Sequence, residues 1–259
     1  MFYGKLLLSG ILTNWSGISI GVEKTLPFNN NIVRKVVRHP VTSIPFIPAS
    51  SFRGAIRRVL EKERGAPCNH RTQKEYQECP LCQILGISEK DAQHFSLSQP
   101  GRLSIRDIFL TQESEIYLIQ NIQQCDITSM KIYNAMDRIT GQGIPYAIEE
   151  IPAGCYFYFD FIFTLYEKND IQYFEKFLQC LLALESNSLG RGGSRGLGKI
   201  RFGEWILQDQ SLYSGLSLTW HSQKYYDNGE EIFIFFPNDK LGIEGMLTEM
   251  RKIKSAINN

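Results

Sequence analysis

The sequence of 259 residues lacks several features that would place it in a specialised class of protein. It has only six cysteines, too few for a disulfide-stapled scaffold, so a reducing cytoplasmic location is expected. No stretch approaches the ~20 apolar residues of a membrane helix, so no membrane partner is expected. The opening residues alternate in polarity, unlike the apolar block of a signal peptide. With 43% hydrophobic and 21% charged residues, the composition is typical of a globular protein rather than a disordered one.

The net charge of +1 hides two segments that carry basic residues and no acidic ones. From residue 24 to 60 there are seven lysines and arginines, and from 189 to 203 there are four. Such local asymmetry can build a face that binds a polyanion on a neutral protein. A solvated basic surface is the alternative for either segment alone, and the presence of two favours the binding face.

Hydrophobic periodicity predicts an α+β chain with elements in the order β-α-β-β-α-β. This is the order of the ferredoxin-like fold, which RNA-recognition modules share with many unrelated proteins. The clearest strand is 155–166, in which apolar and mostly polar positions alternate. The other elements are expected as strands over 2–13, 103–110 and 199–207 and as helices over 50–63 and 169–186.

We expect a single domain over residues 1–259 with two long insertions in this core. They cover about 65–100 and about 112–152, and insertions of this length are typical of functional loops. An extension from about residue 208 contains a strand-like segment at 231–236 and an amphipathic helix near 241–257. The pattern does not place either of these on the sheet.

The first insertion contains Cys68, His70, Cys79 and Cys82 in the spacing C-x-H-x8-C-x2-C. Two close pairs of soft ligands can surround a tetrahedral Zn²⁺, and Pro80 favours the tight turn between the last two. Four protein ligands predict a closed structural site, because a catalytic zinc keeps one position open. The alternatives are unmetallated thiols beside a surface histidine, or a redox C-x-x-C, which needs a helix that starts after a strand.

A glycine-rich segment over residues 189–199 follows the second helix and precedes the last core strand. It runs opposite to a strand-to-helix dinucleotide fingerprint and lacks the G-K-[ST] of a Walker loop. Glycines allow backbone N–H groups to approach a phosphate, and the basic residues add charge, so a cradle for a nucleic-acid backbone is predicted. The alternative is a flexible helix-to-strand turn. The predicted contact residues are Gly190, Arg191, Gly192, Gly193, Arg195, Gly196 and Lys199.

The start of the first helix is a second predicted anion site. Free N–H groups and the helix dipole favour an anion there, and Ser50, Ser51, Arg53 and Arg57 could reach a phosphate. Plain helix capping by serine is the alternative. In the second insertion, residues 136–141 predict a turn, for which a buried Asp–Arg pair is the alternative.

Five segments form a recognisable series along the chain. They are IPFIPASSFRGAIR at 44–57, CPLCQILG at 79–86, GRLSIRDIFL at 101–110, MDRITGQG at 136–143 and the glycine-rich segment. In this order they resemble the RAMP superfamily of CRISPR proteins, specifically the backbone subunits of type III effector complexes. The resemblance covers roughly residues 2–205.

The resemblance implies an RNA-recognition-like core that polymerises along a CRISPR RNA. It implies that the four residues at the start of the first helix and the glycine-rich segment contact the guide backbone. It also implies that residues 131–143, with Lys131 and Arg138, form part of a thumb that wedges the guide–target duplex. Complementary target RNA and other type III subunits, including a large signalling subunit, are the implied partners.

One departure from the family pattern concerns cleavage. Members that cut target RNA carry an Asp a few residues before the basic-X-Pro stretch that here ends at Pro40. The corresponding positions, near 31–33, hold no Asp, and Glu23 is the only acidic residue before Glu61. We therefore expect a structural RNA-binding subunit without slicing activity. The alternatives are a ribonuclease of the same family that uses Glu23 or His39, or a zinc-knuckled RNA-binding protein unrelated to CRISPR.

Overall fold

The structure of the protein is a computed structural model. It describes residues 3–21, 23–25, 32–65, 67–68, 70, 72–87, 100–121, 127–139, 141–206, 211–214, 216–222 and 242–258. The prediction of an α+β chain is confirmed. The predicted strand at 231–236 lies outside the described residues.

Runs of strands and runs of helices follow one another along the described chain. The strands are β1 (Gly4–Asn14), β2 (Glu23–Thr25), β3 (Ile32–Arg34), β4 (Phe46–Ile47), β5 (Leu103–Ile105), β6 (Ile108–Leu110), β7 (Ser129–Met136), β8 (Gly143–Glu150), β9 (Tyr156–Leu165), β10 (Ile200–Phe202), β11 (Glu204–Ile206), β12 (Ser211–Ser214) and β13 (Leu216–Ser222). The helices are α1 (Ala49–Arg64), α2 (Gln73–Glu78), α3 (Pro80–Leu85), α4 (Gln112–Asn121), α5 (Ile171–Glu185), α6 (Ile243–Thr248) and α7 (Met250–Asn258). Within these ranges no helix is both long enough and apolar enough to cross a bilayer.

The central sheet has seven strands that pair in antiparallel fashion. Its path runs β10-β1-β9-β6-β4, with β13 also paired to β1 and β5 to β9. One edge of β1 is divided between two partners, because β13 pairs with Gly4–Gly10 and β10 pairs with Thr13 and Asn14. This division brings the C-terminal extension onto the core sheet.

Alternating aromatic residues on β9 build the hydrophobic core. The four phenylalanines at alternate positions of Phe157–Phe163 are buried and face the two long helices. Phe161 lies 5.0 Å from Phe52 of α1, and Phe163 lies 5.4 Å from Phe174 of α5, measured between ring centroids. Each buried phenylalanine contributes roughly 1.5–3 kcal/mol to stability, so this strand fixes α1 and α5 on one face of the sheet.

Several predicted elements are divided in the structure. The strand predicted over 103–110 is β5 and β6, separated at Arg106 and Asp107, where the Asp107 carboxylate turns toward α1. The strand predicted over 199–207 divides into β10 and β11 at Gly203, which has a φ of 108°. The last predicted helix is α6 and α7. Helix α1 ends where predicted, at Gly65 in the left-handed conformation.

Strand β13 was not predicted, although its sequence carries a signal. Leu216, Leu218 and Trp220 alternate and are buried, which is the period of a strand with one face in the core. Trp220 packs so close to Gly4 that a Cβ at Gly4 would lie 2.3 Å from the indole ring.

A four-stranded sheet of order β2-β3-β8-β7 combines two strands of the second insertion, β7 and β8, with two strands that follow β1. Strands β7 and β8 form a hairpin whose pairs run from Ser129–Glu150 to Met136–Gly143. The hairpin base is tied to the loop after β1, because Ile18 and Ile151 exchange backbone hydrogen bonds of 3.0 and 2.8 Å. The hairpin therefore starts beside the region that also receives the glycine-rich segment.

Candidate nucleic-acid interface and metal centre

The structure brings the four predicted metal ligands together. The ligand atoms of Cys68, His70, Cys79 and Cys82 all lie within 4.8 Å of one another. The Cys68 Sγ lies 2.8 Å from His70 Nε2, 3.7 Å from Cys79 Sγ and 3.3 Å from Cys82 Sγ. The cysteines are free thiols. Three sulfurs and one imidazole nitrogen converging in this way can hold a metal ion.

Two short helices position the second half of this cluster. Cys79 ends α2 and precedes α3, and Pro80 occupies the first turn of α3. Leu81 and Leu85 of α3 are buried in the core, which fixes the turn that carries Cys82. Cys79 thus precedes a helix as a redox cysteine would, but a helix and not a strand comes before it.

Charged side chains surround the cluster. Nη1 of Arg64, in the last turn of α1, lies 3.7 Å from the sulfurs of both Cys68 and Cys79. The hydrogen bond from Cys82 lowers the pKa of Cys79 to about 4, because it stabilises the thiolate. On the far side of the His70 ring, Nδ1 is buried and lies 3.9 Å from a Glu75 carboxylate oxygen. A carboxylate behind a ligating imidazole is typical of metal sites.

The start of α1 differs from the predicted anion site. The N-cap residue is Pro48, which has no capping side chain, so the alternative of serine capping is wrong. The Ala49 N–H donates a 2.7 Å hydrogen bond to the Asp107 carboxylate. A carboxylate of the same chain therefore already occupies one of the amides expected for a phosphate. Ser50 is exposed and Ser51 is half-buried.

The two arginines of α1 have different surroundings. Arg53 Nη2 donates to the Leu85 carbonyl, which joins α1 to the end of α3. Burial and the neighbouring charge of Arg57 lower the pKa of Arg53 below its ordinary value. No acceptor for Arg57 is found in the part of the chain that the structure describes. Of the two, Arg57 is the more available to a ligand.

The glycine-rich segment is bound to the rest of the protein through its backbone. The Arg191 N–H donates to the Ser19 carbonyl at 2.9 Å, and the Gly198 N–H donates to the Gly17 carbonyl at 2.8 Å. Gly190 has a φ of +87°, and a Cβ there would lie 2.5 Å from the Ser19 carbonyl oxygen. This glycine is thus required by packing and not by a ligand. The segment is an anchored turn rather than a free one.

The same hydrogen bonds limit the predicted phosphate cradle. Amides that already have acceptors are those of Leu189, Arg191, Arg195, Gly196, Leu197, Gly198 and Lys199. Amides without an acceptor among the described residues are those of Gly190, Gly192, Gly193 and Ser194. Only this second group can bind a phosphate without a rearrangement.

Basic side chains line a cleft of about 620 Å³ beside the segment. Lys199 Nζ lies 4.7 Å from the centre of the Trp15 ring and pairs with no carboxylate in the described ranges. Arg201, which sequence analysis did not single out as a contact, lies 5.3 Å from the same ring and pairs with Glu185 at 2.8 Å. Gly193 and Gly196 complete this wall of the cleft.

A second cleft of about 180 Å³ adjoins the first. Arg58 and Lys62 of α1 line it together with Asn187 and Ser188, and these last two residues line the larger cleft as well. The two acid-free segments found in the sequence are therefore neighbours in space, with Arg58 of the first and Lys199 and Arg201 of the second on adjoining surfaces.

The β7–β8 hairpin presents a charged tip and an apolar face. Lys131 is exposed and pairs with Glu150 at 2.8 Å, so its charge is partly compensated. Asp137 and Arg138 are both exposed in the turn, so the alternative of a buried pair is wrong. The large apolar side chains that are exposed on the hairpin are Met130, Ile132, Met136 and Ile139.

A model of the RAMP superfamily matches residues 13–201, well over half of the sequence. The chain belongs to the RAMP superfamily. Among curated proteins it is similar to the "CRISPR system Cms endoribonuclease Csm3" of Methanocaldococcus jannaschii, at 31% identity over 225 residues that cover 82% of this chain and 85% of the relative. It is 30% identical to the Enterococcus italicus protein of the same name over 204 residues, which cover 77% of this chain and 90% of the relative. It therefore belongs, within the RAMP superfamily, to the family of the Csm3 proteins.

Solved structures support the RAMP fold across nearly the whole chain. The Methanopyrus kandleri Csm3 crystal structure matches with a TM-score of 0.66 at 16% identity, covering 98% of both chains. A chain of the Csm3–Csm4 subcomplex of the type III-A CRISPR–Cas interference complex matches with a TM-score of 0.58 at 23% identity, covering 97% of both. The α+β architecture with an antiparallel central sheet is thus that of the superfamily.

One contact in this RAMP protein joins two predicted RNA-binding features. The guanidinium carbon of Arg195 lies 5.9 Å from the Tyr133 ring centre and 5.5 Å from that of Tyr146. The two rings are stacked at 5.8 Å. Residue spacing does not predict this contact, because the tyrosines lie in a distant insertion.

A buried carboxylate in the hairpin sheet was also missed. Glu149 accepts hydrogen bonds of 2.6 Å from the Val36 N–H, the Arg38 guanidinium and the Thr128 hydroxyl. Burial alone would raise the pKa of Glu149, but these donors outweigh it and hold the pKa below its ordinary value. The basic-X-Pro stretch, which contains Arg38, is therefore fixed to the base of the hairpin.

Proposed function

We propose that the chain is a structural subunit of a type III CRISPR effector complex that binds CRISPR RNA and its complementary target RNA. The observation that carries the proposal is that Arg58 of the first acid-free segment and Lys199 and Arg201 of the second line two adjoining clefts, which share Asn187 and Ser188. A phosphate backbone needs such a row of cations and gives affinity with little dependence on sequence. Membership in the Csm3 family supports the same function.

The surface proposed for RNA follows from the surroundings of the predicted residues. Arg57, Arg138, Lys199 and the free amides near Gly192 are available, as are the hydroxyls of Ser50 and Ser51. Arg53, Lys131 and Arg195 have partners within the chain, so they form a second group that is less available to RNA. Arg191 belongs with this second group, because its Nη1 is buried and does not face the surface.

The strand path supports a ferredoxin-like core within a single domain. The core strands lie in the order β10-β1-β9-β6, which is the fourth, first, third and second strand of the predicted series. One hydrophobic cluster includes residues from the core helices and from the C-terminal α6 and α7. On this proposal the Cys/His cluster and the hairpin are the insertions, and the hairpin is the thumb.

We further propose that the metal held by the four ligands is a structural Zn²⁺. Zn–S bonds of about 2.3 Å in a tetrahedron place sulfurs about 3.8 Å apart. The Cys68 sulfur lies 3.7 Å from that of Cys79 and 3.3 Å from that of Cys82, so the second distance would lengthen when zinc binds. Three thiolates and Zn²⁺ carry a net negative charge, which Arg64 would offset. Metal analysis of the purified protein should find about one zinc per chain, and protein that is folded but free of metal would contradict the proposal.

RNA binding is tested by measuring affinity against salt with the chain in its complex and alone. If about four to six phosphates of a single strand are neutralised, log K should fall with log salt at a slope of roughly −3 to −4. Several unrelated guide sequences should give similar slopes. Affinity that does not change with salt would contradict a phosphate-binding surface.

We propose that this subunit does not cut RNA, although its relatives are named endoribonucleases. The stretch 24–60 has no carboxylate to hold a metal or act as a base. Positions 26–31 and the side chains of Glu23, Ile32 and Val33 lie outside the described residues. His39 is held in a turn, where its Nδ1 accepts the Thr42 N–H at 3.3 Å.

The cleavage test uses the assembled complex with every other slicing subunit disabled. Complementary RNA should remain intact at positions that face this subunit. Cuts at those positions that His39→Ala or Glu23→Ala abolishes would contradict the proposal and identify the catalytic group.

A further inference from the structure

Arg195 occupies a defined position between the glycine-rich segment and the hairpin. Tyr133 and Tyr146 are directly opposite each other on β7 and β8, so their rings form one flat platform on one face of the hairpin. The guanidinium carbon lies within 6 Å of both ring centres, the range in which a cation is attracted to the face of an aromatic ring. The platform thus contacts Arg195 within the chain itself.

We propose that Arg195 is a positioning residue that braces the hairpin against the glycine-rich segment, and that it is not a phosphate contact. This inference rests on the proposed RNA-binding function, and it changes the role of one predicted contact residue. It assigns to Arg195 the task of setting the angle of the hairpin, which carries Arg138 at its tip.

The segment that carries Arg195 is rigid enough for this role. The Arg195 N–H donates to the Gly192 carbonyl at 2.8 Å within a single 3-10 turn. On either side, the backbone is tied to the loop after β1 through Arg191 and Gly198. The guanidinium therefore extends from an anchored base.

The brace acts beyond the point where the hairpin is already tied. The bonds between Ile18 and Ile151 hold its base, and pairing with β3 extends this hold along one edge of β8 to Ile148 and Ala147. The Tyr133–Tyr146 pair lies two pairs closer to the tip than the Lys131–Ile148 pair, and the turn at 137–142 lies farther out still. The Tyr133–Tyr146 pair lies one pair beyond Ala147, the last residue of β8 that β3 holds. A contact on the face of the hairpin at this position limits bending of the tip out of the plane of the sheet, whereas the pairing with β3 acts within that plane.

The first experiment needs no RNA. Hydrogen exchange of the β7–β8 amides is compared in the wild-type chain, Arg195→Ala, and the double variant Tyr133→Leu with Tyr146→Leu. Loss of a cation that lies over two rings predicts exchange that is about threefold to tenfold faster in both variants. Combining all three changes should add little, because they remove one contact. Unchanged exchange in Arg195→Ala would overturn the brace.

The second experiment separates bracing from phosphate binding. If Arg195 is a brace, Arg195→Ala and the tyrosine double variant weaken RNA binding alike and leave the slope of log K against log salt unchanged. If Arg195 binds a phosphate, Arg195→Ala lowers the magnitude of that slope by about 0.7 for a single strand while the tyrosine variant binds normally, which overturns the proposal. Arg195→Lys should restore the charge but only part of the exchange protection, because lysine lacks the planar guanidinium.

The two proposals fail separately. A wild-type chain that does not bind RNA in its complex would contradict the proposed function. The exchange measurement on the same protein would still decide whether Arg195 braces the hairpin.

Discussion

The metal cluster and the proposed RNA surface were both predicted from sequence, but only the metal cluster has all its predicted residues at one point in the structure. All four cluster residues converge at one point, as their spacing implies. The residues of the RNA surface come from α1, the glycine-rich segment and the hairpin, and several of them are engaged inside the protein. Arg53 donates to Leu85, Lys131 pairs with Glu150, and Arg195 lies on two tyrosines.

The difference teaches which kind of site a spacing can reveal. Soft ligands within a short stretch have one common use, so their spacing carries both the geometry and the chemistry. A basic residue can serve a phosphate, a carboxylate, a carbonyl or an aromatic ring equally well. Only the fold decides among these partners, and most of them lie far away in the sequence.

Removal of a metal ligand should give the largest effect, and it tests whether the four ligands predicted from local spacing form the site. Cys82→Ser leaves three ligands, so the metal is lost and with it the folding free energy that metal binding supplies to residues 67–87. We expect zinc to fall from about one per chain to near zero. The free energy of unfolding should fall by several kcal/mol, as for other losses of a structural metal. Metal analysis and denaturant unfolding measure both.

Cys125→Ser is the matched control for that change, because it removes a cysteine that is not one of the four. It should keep the metal. A Cys82→Ser protein with full zinc content would show that the four residues do not form the site.

The sequence predicts elements that have a strong hydrophobic period. It does not predict features that depend on contacts with residues far away in the sequence. The alternation on β9 and the stop at Gly65 are local, and both were found. The break at Asp107 exists because its carboxylate meets the Ala49 amide, a partner from another element. Strand β13 carries a local signal as well, because Leu216, Leu218 and Trp220 alternate with less buried residues. The tyrosine platform under Arg195 could not be found by spacing, because nothing in a Tyr indicates which cation will cover it.

Substitution of Glu149 should give the next largest effect. It tests a contact between residues that are far apart in the sequence. Glu149→Gln keeps the shape but weakens three hydrogen bonds, one of them charged, so the free energy of unfolding should fall by about 2–3 kcal/mol at pH 7. Because the folded pKa of Glu149 is lowered from 4.5, its ionised form stabilises the protein fully above about pH 4.5. This contribution is lost as the pH falls through the lower folded pKa.

Denaturant unfolding of both proteins between pH 3 and 7 measures that difference. The gap between wild type and Glu149→Gln should be constant above about pH 5 and should narrow in acid. A gap that widens in acid would mean that the neutral carboxyl is the form bound by Arg38.

The smallest expected effects come from substituting the two arginines of α1 one at a time. They test whether internal contacts predict which basic residue binds RNA. Arg57→Gln removes a cation without an internal acceptor, so it should weaken binding to all RNA sequences alike and lower the magnitude of the salt slope by about 0.7, with stability nearly unchanged. Arg53→Gln removes the bond to the Leu85 carbonyl, so it should lower the free energy of unfolding by about 1–2 kcal/mol and leave the slope in place.

Binding titrations at four or more salt concentrations, with unfolding curves of the same preparations, measure both quantities. The opposite pattern, with Arg53→Gln flattening the slope and Arg57→Gln altering stability, would show that the internal contacts of α1 do not predict which of its cations reaches the RNA.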